Sequence, residues 1–178
     1  MKKLCMILPL ALILCFVVGC QDKEAMAELE EFRAQAALEE QNKEIIKRYW
    51  DGKWNARNPG ILDELQASDV VYHGTSMEMN SIEEYKQVYS AILSAIHDTK
   101  ITIDELIAEG DKVMSRMTLS GVHGGELMGI PPTGNSFTFS GFTIFRIVDG
   151  KIAEEWEVLD MLGWFQQLGM ELKPKEEK

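Results

Sequence analysis

Two glycine turns set within long runs of alternating apolar and polar residues constrain this chain more than any other feature. KITIDELIAEGDKVMSRMTLSGVH turns at Glu109-Gly110-Asp111, and NSFTFSGFTIFRIVDGKIAEEWEVLD turns at Asp149-Gly150. Alternation on both sides of an Asp-Gly or Gly-Asp pair predicts two hairpins, hence a meander of long antiparallel strands. Upstream the period changes. In NKEIIKRYWDGKWN, Ile45, Ile46, Tyr49 and Trp50 fall on one helical face. ARNPGILDELQASD carries Asn58 before Pro59 as a second helix start, and Val70 to His73 reads as a short strand. NSIEEYKQVYSAILSAIHD pairs Ser81 with Glu84 as a capping box ahead of a strongly periodic helix. Helices followed by a strand meander predict an α+β domain, a cone-shaped curved antiparallel sheet with the N-terminal helices packed on its concave face. A pocket between the two layers follows from that geometry.

Strand parity then nominates the residues that face the pocket. If Asp149-Gly150 is a two-residue turn, cross-strand partners share a face, which groups Phe145 with Glu154, Thr143 with Trp156, Gly141 with Val158 and Phe139 with Asp160. This set is the predicted interior. It places Asp160 beside Phe139 and Trp156, where desolvation raises a carboxyl pKa and suits it to general acid/base work. A second reading competes: Asp160 precedes MLGWFQQLG and is equally suited to cap that helix, which would favour its charged form.

His73, His97 and His123 end or open elements, and none stands at a metal-ligand spacing from another. No metal is expected. No serine sits in a nucleophile elbow, and no glycine-rich segment matches a phosphate-cradling loop. Arg116, in the middle of a strand, is either an interior charge partner or an exposed cation. Trp50 and Trp54 belong to the core at the end of the first helix, with Trp54 also a pocket candidate. HGGELMGIPPTG, residues 123–134, is too long for a tight turn. It reads either as the lip of the cone, its glycines admitting a ligand close to the backbone, or as a cover for the sheet edge.

The N-terminus reads as a targeting segment. MKK is followed by an uncharged apolar run and by Val17-Val18-Gly19-Cys20, a lipobox-like sequence. Residues 1–19 are accordingly a lipoprotein signal peptide, with an ordinary secretory signal or an uncleaved anchor helix as alternatives. Residues 20–41 form the lipidated Cys20 and a helical or disordered tether, 42–170 the domain, and 171–178 a tail. Cys5 and Cys15 leave with the signal, so the mature chain holds only Cys20 and no internal disulfide. Its 29 acidic residues face 16 basic ones once Lys2 and Lys3 are removed. That balance argues against a nucleic-acid partner, so attachment to the extracytoplasmic face of a bacterial membrane would rest on the lipid and not on charge.

NKEIIKRYWDGKWN, SDVVYHG, IAEGDKV, HGGELMGIPPTG, FSGFTIFRIVDGKIAEEW and LDMLGWFQQLG, in this order, resemble the SnoaL-like polyketide cyclases, or ester cyclases, of the nuclear-transport-factor-like superfamily. The resemblance runs from Asn42 to Gly169. It implies a deep pocket in a cone-shaped barrel that is often dimeric through the open side of the sheet. It also implies ring closure by intramolecular aldol condensation without metal or cofactor, with Asp160 as the acid/base residue. His73 and His123 stand where the family commonly has histidine, which makes them secondary pocket candidates with Trp156, Phe139, Trp54 and Arg116. The ligand implied is a small hydrophobic carbonyl or ester compound. Gly124 and Leu127 depart from the family pattern and thin the contacts at the mouth. A non-catalytic carrier or sensor, or a protein-interaction module at the membrane, are the alternatives from other classes.

Overall fold

The computed structural model describes residues 4–75, 77–171 and 173, with side chains from Lys23 onward. Val17 to Cys20, read as the lipid-attachment site, and most of the tail lie outside the described side chains. The chain divides into two units, Met1–Leu38 and Glu39–Lys178. The described residues of the first belong to helix α1, Leu4–Trp50, and every described side chain among them is exposed. Among the described residues no helix is long and apolar enough to cross a membrane.

In the second unit the end of α1 buries Ile46, Tyr49 and Trp50, the stripe its spacing predicts. The helix does not run regularly to Asn55. Asp51–Asn55 widens into a π turn, closed by Ala56 N donating to Asp51 O at 2.9 Å. Gly52 is required there, because a Cβ would come within 2.6 Å of Ile61 on the next helix. Helix α2, Gly60–Leu65, begins where Asn58 Oδ1 accepts from Gly60 N, and leads straight into β1, Gln66–His73. A short β2, Glu78–Met79, precedes α3, Ile82–Ala95. The capping box forms in a shifted version. Ser81 accepts from Glu84 N, and the Glu84 carboxylate accepts from Asn80 N instead of Ser81 N.

Four long strands follow: β3 (Ile96–Glu109), β4 (Lys112–His123), β5 (Ser136–Val148) and β6 (Lys151–Leu159), then α4 (Met161–Gln167). The sheet order is β2-β1-β6-β5-β4-β3. All neighbours are antiparallel except β1 and β6, which run parallel and place the early strand beside the last one, with only the short β2 beyond it. Asp149 and Gly150 both take positive φ, 50° and 73°, as a two-residue turn of mirror type demands. Alternate β4 and β5 residues, among them Val113, Met117, Leu119, Phe137, Phe139 and Phe145, form the buried face against α3 and the end of α1. The α+β cone expected from the sequence is the fold.

Strand β6 departs from its expected register. Val148 lies opposite Lys151 and Ile147 opposite Ile152, as a two-residue hairpin requires, but Arg146 then lies opposite Glu154. One extra residue, Ala153, is accommodated as a bulge. Every side chain beyond it therefore changes face. Glu155 pairs with Phe145 and Glu157 with Thr143 on the inside, while Glu154, Trp156 and Val158 turn outward.

Candidate functional site

A cavity of about 310 Å³ opens between the sheet and α3, with methionines from several elements around it: Met77, Met79, Met117, Met128 and Met161. Phe139 and Trp54 line it, together with Phe137 and Trp164. The polar groups in this wall are few. They are Glu157 from β6, Tyr72 from β1, Tyr85 and Tyr89 from α3, Thr75, and Lys53 from the π turn. Glu157 Oε1 accepts from the Tyr72 hydroxyl at 2.7 Å and Oε2 from Thr143 Oγ1 at 3.3 Å. Two donors thus fix a carboxylate at the edge of an apolar hollow.

Behind this wall lies a second, fully buried carboxylate. Glu155 is 0% exposed and accepts from Tyr49 at 2.9 Å, Gln66 at 2.8 Å and Tyr85 at 3.0 Å. Burial raises its pKa above the usual carboxylate value, opposed chiefly by the nearby Lys53. The same burial, added to by the charge of Glu155, pushes the phenols of Tyr49 and Tyr85 well above the ordinary tyrosine value. Tyr72 is also raised, by burial first and then by Glu157. Tyr89, also buried, is pushed up to about 12 by desolvation, which Arg57 opposes. Lys53 is driven the other way. Burial lowers its pKa, while Glu155 and Glu157 oppose the shift.

Lys53 Nζ donates to Tyr85 at 2.5 Å and to Tyr49 at 3.3 Å. The rings of Tyr49, Trp50, Trp54, Tyr85 and Tyr89 surround it, their centroids 4.8 to 5.8 Å away. The π turn also settles the backbone here: the Tyr89 hydroxyl donates to Lys53 O. Among the described residues no cluster of three or more histidine, cysteine, aspartate or glutamate side chains is arranged to hold a metal ion.

The remaining residues nominated from the sequence lie elsewhere. Asp160 is exposed and caps α4, accepting from Gly163 N at 2.9 Å. The bulge at Ala153 ended the alternation that would have carried it inside, which corrects its placement beside Phe139. Trp156 is turned outward by the same bulge and stacks on His73, with ring centroids 5.4 Å apart. His73 meets Glu154 at 3.0 Å in this outer layer, where Arg146 also binds Glu154. The hydrogen bond from His73, together with Arg146, holds the Glu154 pKa low. Arg116 pairs with Asp104 and Glu105 on the partly exposed face of the sheet. His123 is buried at the root of the long loop, 3.1 Å from Thr133 Oγ1.

The loop itself meets the cavity through Leu127 and Met128, where Leu127 and Ile130 close a turn on each other. Gly124 and Gly125 serve packing and not ligand approach. Both N–H groups donate to Ala95 O at 2.9 Å, and a Cβ on Gly125 would stand 2.8 Å from the Ala95 Cα.

Sequence reasoning missed Glu157, Glu155, Lys53 and the converging phenols. Of these, Tyr49 had a local signal in the buried stripe of the first helix, and Lys53 lies one helical turn beyond it.

With this geometry established, comparison with known proteins assigns the family. A profile described as "SnoaL-like polyketide cyclase" matches residues 44–168. The chain belongs to the SnoaL-like polyketide cyclase family. It is 42% identical over 60 residues to the aklanonic acid methyl ester cyclase of Streptomyces peucetius, which covers 34% of this chain and 41% of that protein. It is 40% identical over 60 residues to the nogalonic acid methyl ester cyclase of Streptomyces nogalater, covering 34% of this chain and 45% of the relative. The match therefore spans less than half the length of these curated relatives. TsrD from Streptomyces laurentii superposes with a TM-score of 0.66 at 30% identity, over 72% of this chain and 95% of TsrD.

Proposed function

We propose that the cavity binds a small hydrophobic carbonyl or ester compound and that Glu157 performs acid/base chemistry on it, as in an ester cyclase. One observation carries this reading: among the described residues Glu157 is the one carboxylate lining a mostly apolar cavity, and Tyr72 and Thr143 orient it. In an intramolecular aldol closure Glu157 removes the proton on the carbon next to a carbonyl. The resulting enolate carbon bonds to a second carbonyl carbon in the same molecule. The new alkoxide then takes the proton back from the Glu157 acid. The ring forms with no net change in protons, so the reaction needs no redox partner. The names of the ester cyclase relatives support the substrate class.

The experiment is mass spectrometry of compounds retained by the purified domain, followed by transfer of those compounds to fresh protein in D2O. Retained carbonyl compounds that acquire deuterium beside the carbonyl support the reading, and retained compounds that never exchange refute it. A non-catalytic carrier is the second reading, favoured by how little of the cavity wall is polar. Attachment through a lipidated Cys20 at the outer side of a bacterial membrane is part of the proposal, resting on Val17-Val18-Gly19-Cys20. Pairing of two copies through the outer sheet face is supported by exposed Phe142, Ile144 and Val158, which share that face.

A further inference from the structure

Glu157 does not account for Lys53. An ammonium taken from water into a cage of five rings loses hydration that phenol oxygens and ring faces only partly replace. No carboxylate among the described residues stands within ion-pair distance of its Nζ. Glu155 is instead reached through Tyr85: Nζ donates to the Tyr85 oxygen at 2.5 Å, and that hydroxyl donates to Glu155 Oε2 at 3.0 Å. Two short transfers along this line move a proton from Lys53 to Glu155 without solvent. They leave an amine and a carboxylic acid, both neutral, which is the pair of states burial favours for each group. Lys53 and Tyr85 both line the cavity that Glu157 lines.

We propose that Lys53 is a nucleophile that condenses with the carbonyl group of an aldehyde or ketone held in this cavity, forming an imine on its Nζ. The proposal rests on the reading of the cavity as a carbonyl site. The neutral amine adds to the carbonyl carbon, and a proton passes from nitrogen to the new alkoxide by way of the Tyr85 hydroxyl. Glu155 then supplies its proton, relayed through the Tyr85 hydroxyl, to the departing hydroxyl. The products are an iminium on Lys53, a Glu155 carboxylate and one water molecule. The carbonyl oxygen leaves in the water, and no oxidant or reductant enters. The iminium cation is then stabilised by the surrounding rings. It also acidifies the neighbouring C–H far more than the free carbonyl does, which deepens the role of Glu157 as base.

Phenylacetaldehyde, apolar and with exchangeable hydrogens beside its carbonyl, tests this with cyanoborohydride present to reduce the iminium to a stable secondary amine. Peptide mapping of the wild-type domain should place the first equivalent of label on Lys53, at least about ten-fold faster than on any surface lysine. Lys53→Arg, which still offers N–H donors to the tyrosines but forms no imine, should lose that label. Label confined to surface lysines at saturating aldehyde overturns the proposal. The same probe in D2O separates the two readings. Exchange beside the carbonyl without label on Lys53 refutes the imine and leaves Glu157 standing, whereas label on Lys53 without exchange supports the imine and refutes Glu157 as base.

Discussion

Tyr72 donates its hydroxyl to Glu157 at 2.7 Å between two parallel strands, one entering the sheet early in the chain and the other closing it. This contact joins the carboxylate that faces the cavity to the strand added beside β6, outside the four-strand meander. Glu157→Gln is expected to retain ligand and to lower turnover about a hundred-fold to ten-thousand-fold, the range for a general acid/base group. Tyr72→Phe should lower it about ten-fold, since one charge-assisted hydrogen bond is lost. Steady-state kinetics beside equilibrium dialysis reads both. Full activity in Glu157→Gln would remove that residue from the chemistry.

Asp160→Ala gives the contrasting result. It removes the acceptor for Gly163 N and should cost about 1 kcal/mol of stability, typical of a lost N-cap, with turnover intact. Urea denaturation measures the first quantity. A folded Asp160→Ala protein that binds ligand without turnover would return the catalytic role to Asp160.

Glu155 makes stability depend on pH with a definite sign. Its folded pKa is raised above the ordinary value of 4.5, so between that value and its own pKa the folded state binds more protons than the unfolded state. Its contribution to stability is fully present below 4.5 and is lost as pH rises through the raised pKa. Lys53 slopes the opposite way, because a lowered pKa makes the folded chain bind fewer protons below 10.5. Glu155→Gln should match the wild type most closely in acid and gain on it as pH climbs. Thermal midpoints of both proteins across about pH 5 to 9 test the trend. A gap that stays constant would show that Glu155 does not titrate as its burial requires.

The long loop separates packing from conformational strain. A Cβ on Gly125 meets the Ala95 backbone at 2.8 Å, so Gly125→Ala should destabilise by about 1–3 kcal/mol through overpacking. Gly129 has a φ of +77° but open space around it, and Gly129→Ala should cost about 1–2 kcal/mol from the left-handed backbone alone. Only the first should loosen the seat of the loop on the end of α3, seen as faster exchange of the amides at positions 124 and 125. Unchanged exchange in Gly125→Ala would refute that assignment.

Membrane attachment has a direct assay. Cys20→Ser should abolish incorporation of a clickable palmitate analogue in cells and move the protein from the membrane to the soluble fraction. Retained label in that variant would exclude Cys20 as the acylated residue.

The sheet was legible in the sequence because its turns announce themselves. Asp149-Gly150 set the hairpin, and parity along β5 correctly put Phe139, Thr143 and Phe145 inside. The same parity failed one strand later. Nothing in KIAEEWEVLD marks a bulge at Ala153, and Trp156 and Val158, though apolar, lie outside, one stacked on His73 and the other opposite Phe142. The apolar residues were thus counted toward the wrong face, and two interior glutamates went unseen. Lys53 sits where the helical stripe predicts burial, but a lysine there ordinarily extends its stem and keeps its charge in water. Only the fold shows that five rings close over it. The Glu155 network joins Tyr49, Gln66 and Tyr85 across separations of up to 106 residues, a convergence that no local pattern encodes.

The methionines around the cavity have a consequence for selectivity. Thioether chains are unbranched and polarisable, so they reshape around guests of different outline at little energetic cost. Met77 and Met128 are exposed, at 38% and 54%, while the amine of Lys53 is buried and the acid of Glu157 is held by Tyr72 and Thr143. Discrimination among guests would then rest on where a reactive group sits relative to these two anchors. Compounds that share that spacing but differ in girth or substituents should all be admitted, making this a tolerant receptacle instead of a mould for one molecule.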